Sequence, residues 1–132
     1  MEFKLHHIGI ATKNINKSKK YYIELLGYTE DKKIIDEKQN LRALFLKKND
    51  IEIELLEKID INTNSPIDNI LKTLDGGIHH HCYEVKNIND MLDELSKCGF
   101  VKITKKMHTY NEFQTAFFIT PDNLLIELLE KY

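Results

Sequence analysis

Ile53-Glu54-Leu55-Leu56-Glu57-Lys58 returns as Ile126-Glu127-Leu128-Leu129-Glu130-Lys131, and the fold follows from that recurrence. Two more matches share its spacing: His6-His7 with His79-His80, and Lys13-Asn14-Ile15-Asn16 with Lys86-Asn87-Ile88-Asn89, each 73 residues apart (126 − 53, 79 − 6, 86 − 13). Leu26-Gly27-Tyr28 against Cys98-Gly99-Phe100 fits at 72, a slip of one residue between helix and strand. A fixed internal period means that one supersecondary unit has been built twice.

Each half opens on an alternating strand, Lys4 to Thr12 and His79 to Val85, which feeds a helix start at Lys-Asn-Ile-Asn. Ile15, Tyr22, Leu25 and Leu26 recur at helical spacing, as do Ile88, Met91, Leu92 and Leu95, and Gly27 and Gly99 follow where a helix end wants a left-handed residue. Three strands are predicted next in each half: Tyr28 to Ile35, Leu41 to Lys47 and Ile51 to Glu57, then Val101 to Met107, Phe113 to Thr120 and Leu124 to Glu130. Asn49-Asp50 and Pro121-Asp122-Asn123 read as hairpin turns. Ser65-Pro66 and Gly76-Gly77 mark a linker with a short helix from Pro66 to Leu74. The expectation is one α+β domain of two βαβββ modules, residues 1–58 and 79–132, joined by linker 59–78, with a cavity shared between the sheets.

At 132 residues the chain is long enough to bury a core without staples. Nineteen basic residues against 21 acidic ones leave a formal charge of −2, which offers no basic face for a phosphate backbone, so no nucleic-acid partner is expected. Cys82 and Cys98 form no CxxC pair and read as free thiols of a reducing compartment. Met1 to His7 mixes charged and apolar residues unlike a signal peptide, and stretches such as Ala116 to Ile119 are too short to cross a bilayer. A cytoplasmic protein with no membrane partner is the expectation.

Side chains alternate across a strand, so Ile53 and Leu55 facing a helix put Glu54 on the other face, and Ile126 and Leu128 do the same for Glu127. Each carboxylate has a histidine at the same spacing of 47 upstream, His7 (54 − 7) and His80 (127 − 80). Taken singly, such a histidine is usually structural and such a glutamate usually solvated; the duplication is what singles them out. Two imidazoles and two carboxylates make a mixed nitrogen and oxygen set, suited to one divalent metal: nickel, cobalt, zinc, manganese or magnesium. Strand parity sends His79 and His81 to the opposite face from His80, so the three consecutive histidines are not one ligand set. The same parity lines the cavity with Leu41, Ala43 and Phe45 from one half and Gln114, Ala116 and Phe118 from the other. Gln114 is the polar member of that wall and the candidate for orienting substrate, and Glu84 shares the parity beyond the rim.

These residues resemble the vicinal oxygen chelate (glyoxalase/bleomycin resistance/dioxygenase) superfamily over nearly the whole chain. Leu5-His6-His7-Ile8-Gly9-Ile10-Ala11, Ser65-Pro66-Ile67, Gly76-Gly77-Ile78-His79-His80-His81-Cys82-Tyr83-Glu84-Val85 and Leu125-Ile126-Glu127-Leu128 look most like the methylmalonyl-CoA epimerases. The resemblance places the four metal ligands on His7, Glu54, His80 and Glu127. It implies a metal that grips two adjacent substrate oxygens while a carboxylate moves a proton next to a carbonyl, with Glu127, and Glu54 beside it, as catalytic residues. Substrates in keeping with it are an acyl thioester or a hemithioacetal. The chain departs from the epimerases at Ala43, where some of them carry a second catalytic glutamate, and in the short Thr120-Pro121-Asp122-Asn123 ending, which is closer to glyoxalase I-like lactoylglutathione lyases. Extradiol dioxygenases and fosfomycin-resistance enzymes use three ligands, and a non-catalytic bleomycin-type drug-binding protein keeps the fold without a metal site. Exposed sheet edges in such a fold add the expectation of a homodimer.

Overall fold

The computed structural model describes residues 2–104, 108–109 and 112–132, divided between two compact units. One runs from His7 to His79, and the other from His80 to Tyr132 together with the N-terminal residues up to His6. Strands β1 (Lys4–Thr12) and β5 (Gly76–Glu84) therefore each pass from one unit into the other along the chain.

In the 7–79 unit, β1 is followed by α1 (Ile15–Glu24), β2 (Thr29–Asp36), β3 (Leu41–Lys48), β4 (Ile51–Lys58) and the single turn α2 (Asp68–Leu71). Its strands lie in the order β2-β3-β4-β1, antiparallel except for the parallel β1–β4 pair. In the other unit β5 leads to α3 (Ile88–Lys97), β6 (Val101–Lys102), β7 (His108–Thr109), β8 (Phe113–Ile119) and β9 (Leu125–Lys131). The order there is β5-β9-β8-β6, with β7 also on β8 and β5 parallel to β9. The repeat survives in the register: Gly9 pairs with Glu54 across β1–β4, and Cys82, 73 residues after Gly9, pairs with Glu127, 73 after Glu54.

Both helices start and stop by the same local devices. Asn14 Oδ1 accepts from Lys17 N at 3.0 Å and Asn87 Oδ1 from Asp90 N at 3.1 Å, the N-cap geometry that satisfies an orphan amide. A second amide of each first turn is met from the sheet, Ile15 N donating to Glu57 Oε1 and Ile88 N to Glu130 Oε2. Carboxylates at helix N-termini also meet the positive end of the helix dipole. Gly27 and Gly99 carry φ of +82° and +85°, left-handed values that end each helix cheaply only without a Cβ.

Ile15 of α1 packs with Leu44, Leu46, Ile53 and Leu55 of the sheet, and Ile88 and Leu95 of α3 pack with Ala116, Phe118, Ile126 and Leu128. Tyr22 packs against the first cluster, and burial pushes its phenol up to about 12, so it stays neutral near neutral pH. None of the described helices is long and apolar enough to cross a membrane.

Three expectations are corrected. The strand expected from Val101 to Met107 is only Val101–Lys102, after which Ile103 N donates to Phe117 O and Thr104 Oγ1 accepts from Phe117 N; residues 105–107 of that expectation lie outside the described ones. Gly76-Gly77 belongs to a strand and not to the linker. A Cβ on Gly76 would stand 2.9 Å from Ala11 O, so glycine here permits a close backbone approach instead of a turn. The linker helix shrinks from Pro66–Leu74 to Asp68–Leu71, and Ile67, Ile70 and Leu71 pack onto Ala11, Leu41, Ala43 and Leu56.

Polar contacts hold the rest of the linker. Buried Asn40, at φ +55°, donates to Asp60 O and Thr63 O and accepts from Asp60 N. Hydrogen bonds from Asn62 N and Thr63 hold the Asp60 carboxyl below the usual carboxylate range, and the Lys58 ammonium with Ser65 N does so for Asp68. A carboxyl whose folded pKa is depressed adds stability above its unfolded value of about 3.9 and loses it as pH falls through the lower folded value. Melting temperature is therefore expected to drop as pH falls below about 4. An Asp60→Asn/Asp68→Asn variant, measured across pH 6 to 3, should show a shallower drop; an unchanged slope would rule out these two groups as its source.

Candidate functional site

Within the 7–79 unit, His7 stands two residues before Gly9 on β1 and so shares the sheet face of Glu54, the partner of Gly9. His7 Nε2 lies 3.3 Å from Glu54 Oε1, the histidine 3% and the carboxylate 14% exposed. Phe45, opposite Glu54 in the β3–β4 register, stands edge-on to the imidazole with centroids 5.3 Å apart and planes at 85°.

The other unit builds the same thing. His80 stands two residues before Cys82 on β5 and shares the face of Glu127, with Nε2 again 3.3 Å from Oε1 and exposures of 4% and 11%. Phe117, opposite Glu127 in the β8–β9 register, is edge-on to His80 at 5.6 Å and 88°. Each unit thus presents one imidazole nitrogen and one carboxylate oxygen side by side in a nearly dry place.

A charged hydrogen bond between such groups closes to roughly 2.7–2.9 Å, whereas two ligands bonded to one ion at roughly 2.0–2.2 Å stand about 2.9–3.5 Å apart. The separation in both units suits ligands converging on a cation. Burial points the same way, since a carboxylate removed from water is costly unless a positive charge compensates it. The donor set, imidazole with carboxylate, fits a borderline divalent ion.

The remaining predicted residues divide. Phe45 is where expected, at 3% exposure beside His7. Ala43 and Leu41 have the expected parity but are sealed beneath Ile67, so they form core and not an open cavity wall. Phe118 and Ala116 are contradicted: both lie in the α3 core with Ile126 and Leu128. Gln114 shares their parity, opposite Glu130, whose carboxylate caps α3. The residues that share the Glu127 face are instead Thr115, which is buried, and Phe117.

A slip of one residue explains the error. Phe45 and Phe117 are 72 apart (117 − 45) while Glu54 and Glu127 are 73 apart (127 − 54), because the β8–β9 connection is one residue longer than the β3–β4 turn. With a side-chain period of two, that slip turns every side chain to the other face. The 72-residue offset at Gly27 and Gly99 was the signal that could have found Phe117. Lys32 was also missed; its ammonium sits 5.2 Å from the centre of the Phe45 ring, the ring that stands edge-on to His7. His79 Nε2 lies 3.1 Å from Pro66 O, an anchor for the linker, and Glu84 pairs with Lys131 at 3.2 Å.

Comparison with known proteins follows the same lines. Residues 6–128 match the sequence model of the glyoxalase/bleomycin resistance protein/dioxygenase superfamily. A mitochondrial methylmalonyl-CoA epimerase of Dictyostelium discoideum is 30% identical over 134 residues, covering 97% of this chain and 78% of its own. Among solved structures, a hypothetical protein of Bacillus halodurans superposes with a TM-score of 0.87 at 28% identity, over 100% of this chain and 96% of the other. The methylmalonyl-CoA epimerase of Mycobacterium tuberculosis superposes with a TM-score of 0.83 at 23% identity, over 98% and 88%, a likeness of fold.

Proposed function

Since the chain belongs to the glyoxalase/bleomycin resistance protein/dioxygenase superfamily and has its vicinal oxygen chelate fold, we propose that it is a divalent-metal-dependent isomerase that moves a proton next to the carbonyl of an acyl thioester, as an epimerase of methylmalonyl-CoA type. The observation that carries this reading is the buried imidazole–carboxylate pair built identically in each half. His7 and His80 through Nε2, and Glu54 and Glu127 through a carboxylate oxygen, are the proposed metal ligands. Bound there, a divalent ion would polarise the substrate carbonyl and raise the acidity of the neighbouring C–H.

The chain's own groups supply the rest. Epimerisation removes a proton from one face of a carbon and returns it to the other, which calls for a base and an acid; Glu127 and Glu54, one from each half, are assigned those roles. Burial raises the basicity of a carboxylate and a nearby cation lowers it, so the two influences oppose each other in setting the proton affinity. Phe45 and Phe117 keep water from the imidazoles and fix the ring planes. Such support commonly governs how firmly a histidine holds a metal.

The test is metal analysis of protein purified without chelator, followed by deuterium exchange into methylmalonyl-CoA in heavy water. About one divalent ion per chain is expected. Exchange should stop on chelation and return with cobalt, nickel or manganese; full exchange in excess chelator would refute the reading. A glyoxalase-like lyase acting on a hemithioacetal is the second reading, favoured by Ala43, sealed under Ile67 where some epimerases carry a second glutamate. Turnover of the methylglyoxal–glutathione hemithioacetal without thioester exchange would select it. Tight drug binding independent of metal would select a sequestering protein instead.

A further inference from the structure

Among the described residues two buried side-chain oxygens have no hydrogen-bond partner, Ser65 Oγ and Thr115 Oγ1. Ser65 lies in the linker and is itself half-buried. Thr115 is different: it is 1% exposed, in the middle of β8, and its hydroxyl has given up water without replacing it. A buried hydroxyl in that state works against folding, and a valine would fill the same space without the penalty. The hydroxyl is accounted for if its partner arrives with a ligand.

Its direction is fixed by the strand. Ala116 and Phe118 point into the α3 core, so Thr115 and Phe117 point to the opposite face, which Glu127 shares through its pairing with Phe117. Phe117 stands edge-on to His80, and Thr115 is the next side chain on that face, roughly 7 Å along the strand. The repeat makes the hydroxyl conspicuous. Its counterpart 72 residues earlier (115 − 43) is Ala43, which is apolar and closed off by Ile67, Ile70 and Leu71.

We propose that Thr115 is a substrate-binding residue, its hydroxyl donating a hydrogen bond to a carboxylate or carbonyl oxygen of an acyl substrate whose reacting end lies at the His80–Glu127 pair. The proposal rests on the metal-dependent reading given above and adds to it a recognition element for an acyl group with a second oxygen function. Dicarboxylic thioesters have one; simple acyl thioesters do not.

Thr115→Val and Thr115→Ser separate this from a structural role. Melted without metal or ligand, Thr115→Val should match the wild type or exceed it by up to about 5 °C. In the exchange assay it should raise KM for methylmalonyl-CoA about 10- to 100-fold, while Thr115→Ser stays within about threefold of wild type. Malonate binding to the cobalt-loaded protein, followed by calorimetry, should weaken by a similar factor. If the wild type exchanges no thioester, the assigned reaction fails, and malonate still decides on Thr115: weaker binding by Thr115→Val supports the proposal. Equal affinities of wild type and Thr115→Val overturn it, as does a wild type that binds neither ligand. A Thr115→Val protein that melts well below wild type also overturns it, because the hydroxyl is then a structural partner.

Discussion

Glu127→Gln is expected to lower metal-dependent proton exchange by at least about 10³-fold, within the range that a positioned acid–base group contributes. The amide keeps the size and one possible oxygen ligand of the carboxylate but cannot take a proton. In the metal-free protein the same change should leave the melting temperature unchanged or raise it, because a carboxylate 11% exposed beside an imidazole is relieved of its desolvation when neutralised. With saturating cobalt the order should reverse, since ligand binding stabilises the folded state in proportion to its affinity, and an amide is the poorer ligand. A variant that loses exchange only because it no longer binds metal would recover at high cobalt, so titration of the metal separates ligation from proton transfer. Retention of wild-type exchange by a folded, metal-loaded Glu127→Gln protein would remove Glu127 from the chemistry.

How far the sequence carries depends on what kind of information each feature needs. The repeat gave the two helices, their Asn14 and Asn87 caps and their Gly27 and Gly99 ends, because these are local: a side-chain oxygen meets an amide three residues on, and a left-handed residue wants no Cβ. It also paired His7 with Glu54 and His80 with Glu127, because parallel neighbours in a repeated register leave few other places for them. Glu57 and Glu130 stood in the same repeated stretch, but their capping role appears only when β4 and β9 are laid against the helix starts, 42 residues away in sequence. Ala43 shows a further limit. Strand parity put it on the correct face, but no pattern within β3 reveals that Ile67 covers it. Whether a residue on a sheet face lines a cavity or a core depends on what a linker does after the strand is finished.

The corrected register of β8 leads to the second large effect. Phe118 is 2% exposed and packs among Ala116, Ile126, Leu128 and the residues of α3, so Phe118→Ala removes a full aromatic ring from a closed core. A loss of about 3–5 kcal/mol is expected, read as a fall in melting temperature of roughly 10–20 °C. Phe117, one residue earlier, is only half-buried and touches His80 edge-on, so Phe117→Ala should cost about 1–2 kcal/mol but weaken metal binding about 10-fold or more by releasing the imidazole ring. The opposite register makes the opposite forecast, with Phe118→Ala affecting the metal and Phe117→Ala the fold. Thermal melts and cobalt titrations of the two single variants therefore decide which face of β8 meets Glu127. On that face depend Phe117 as the wall of the His80 site and Thr115 as its neighbour, so a result in which Phe118→Ala leaves stability intact but lowers cobalt affinity would dismantle both assignments together.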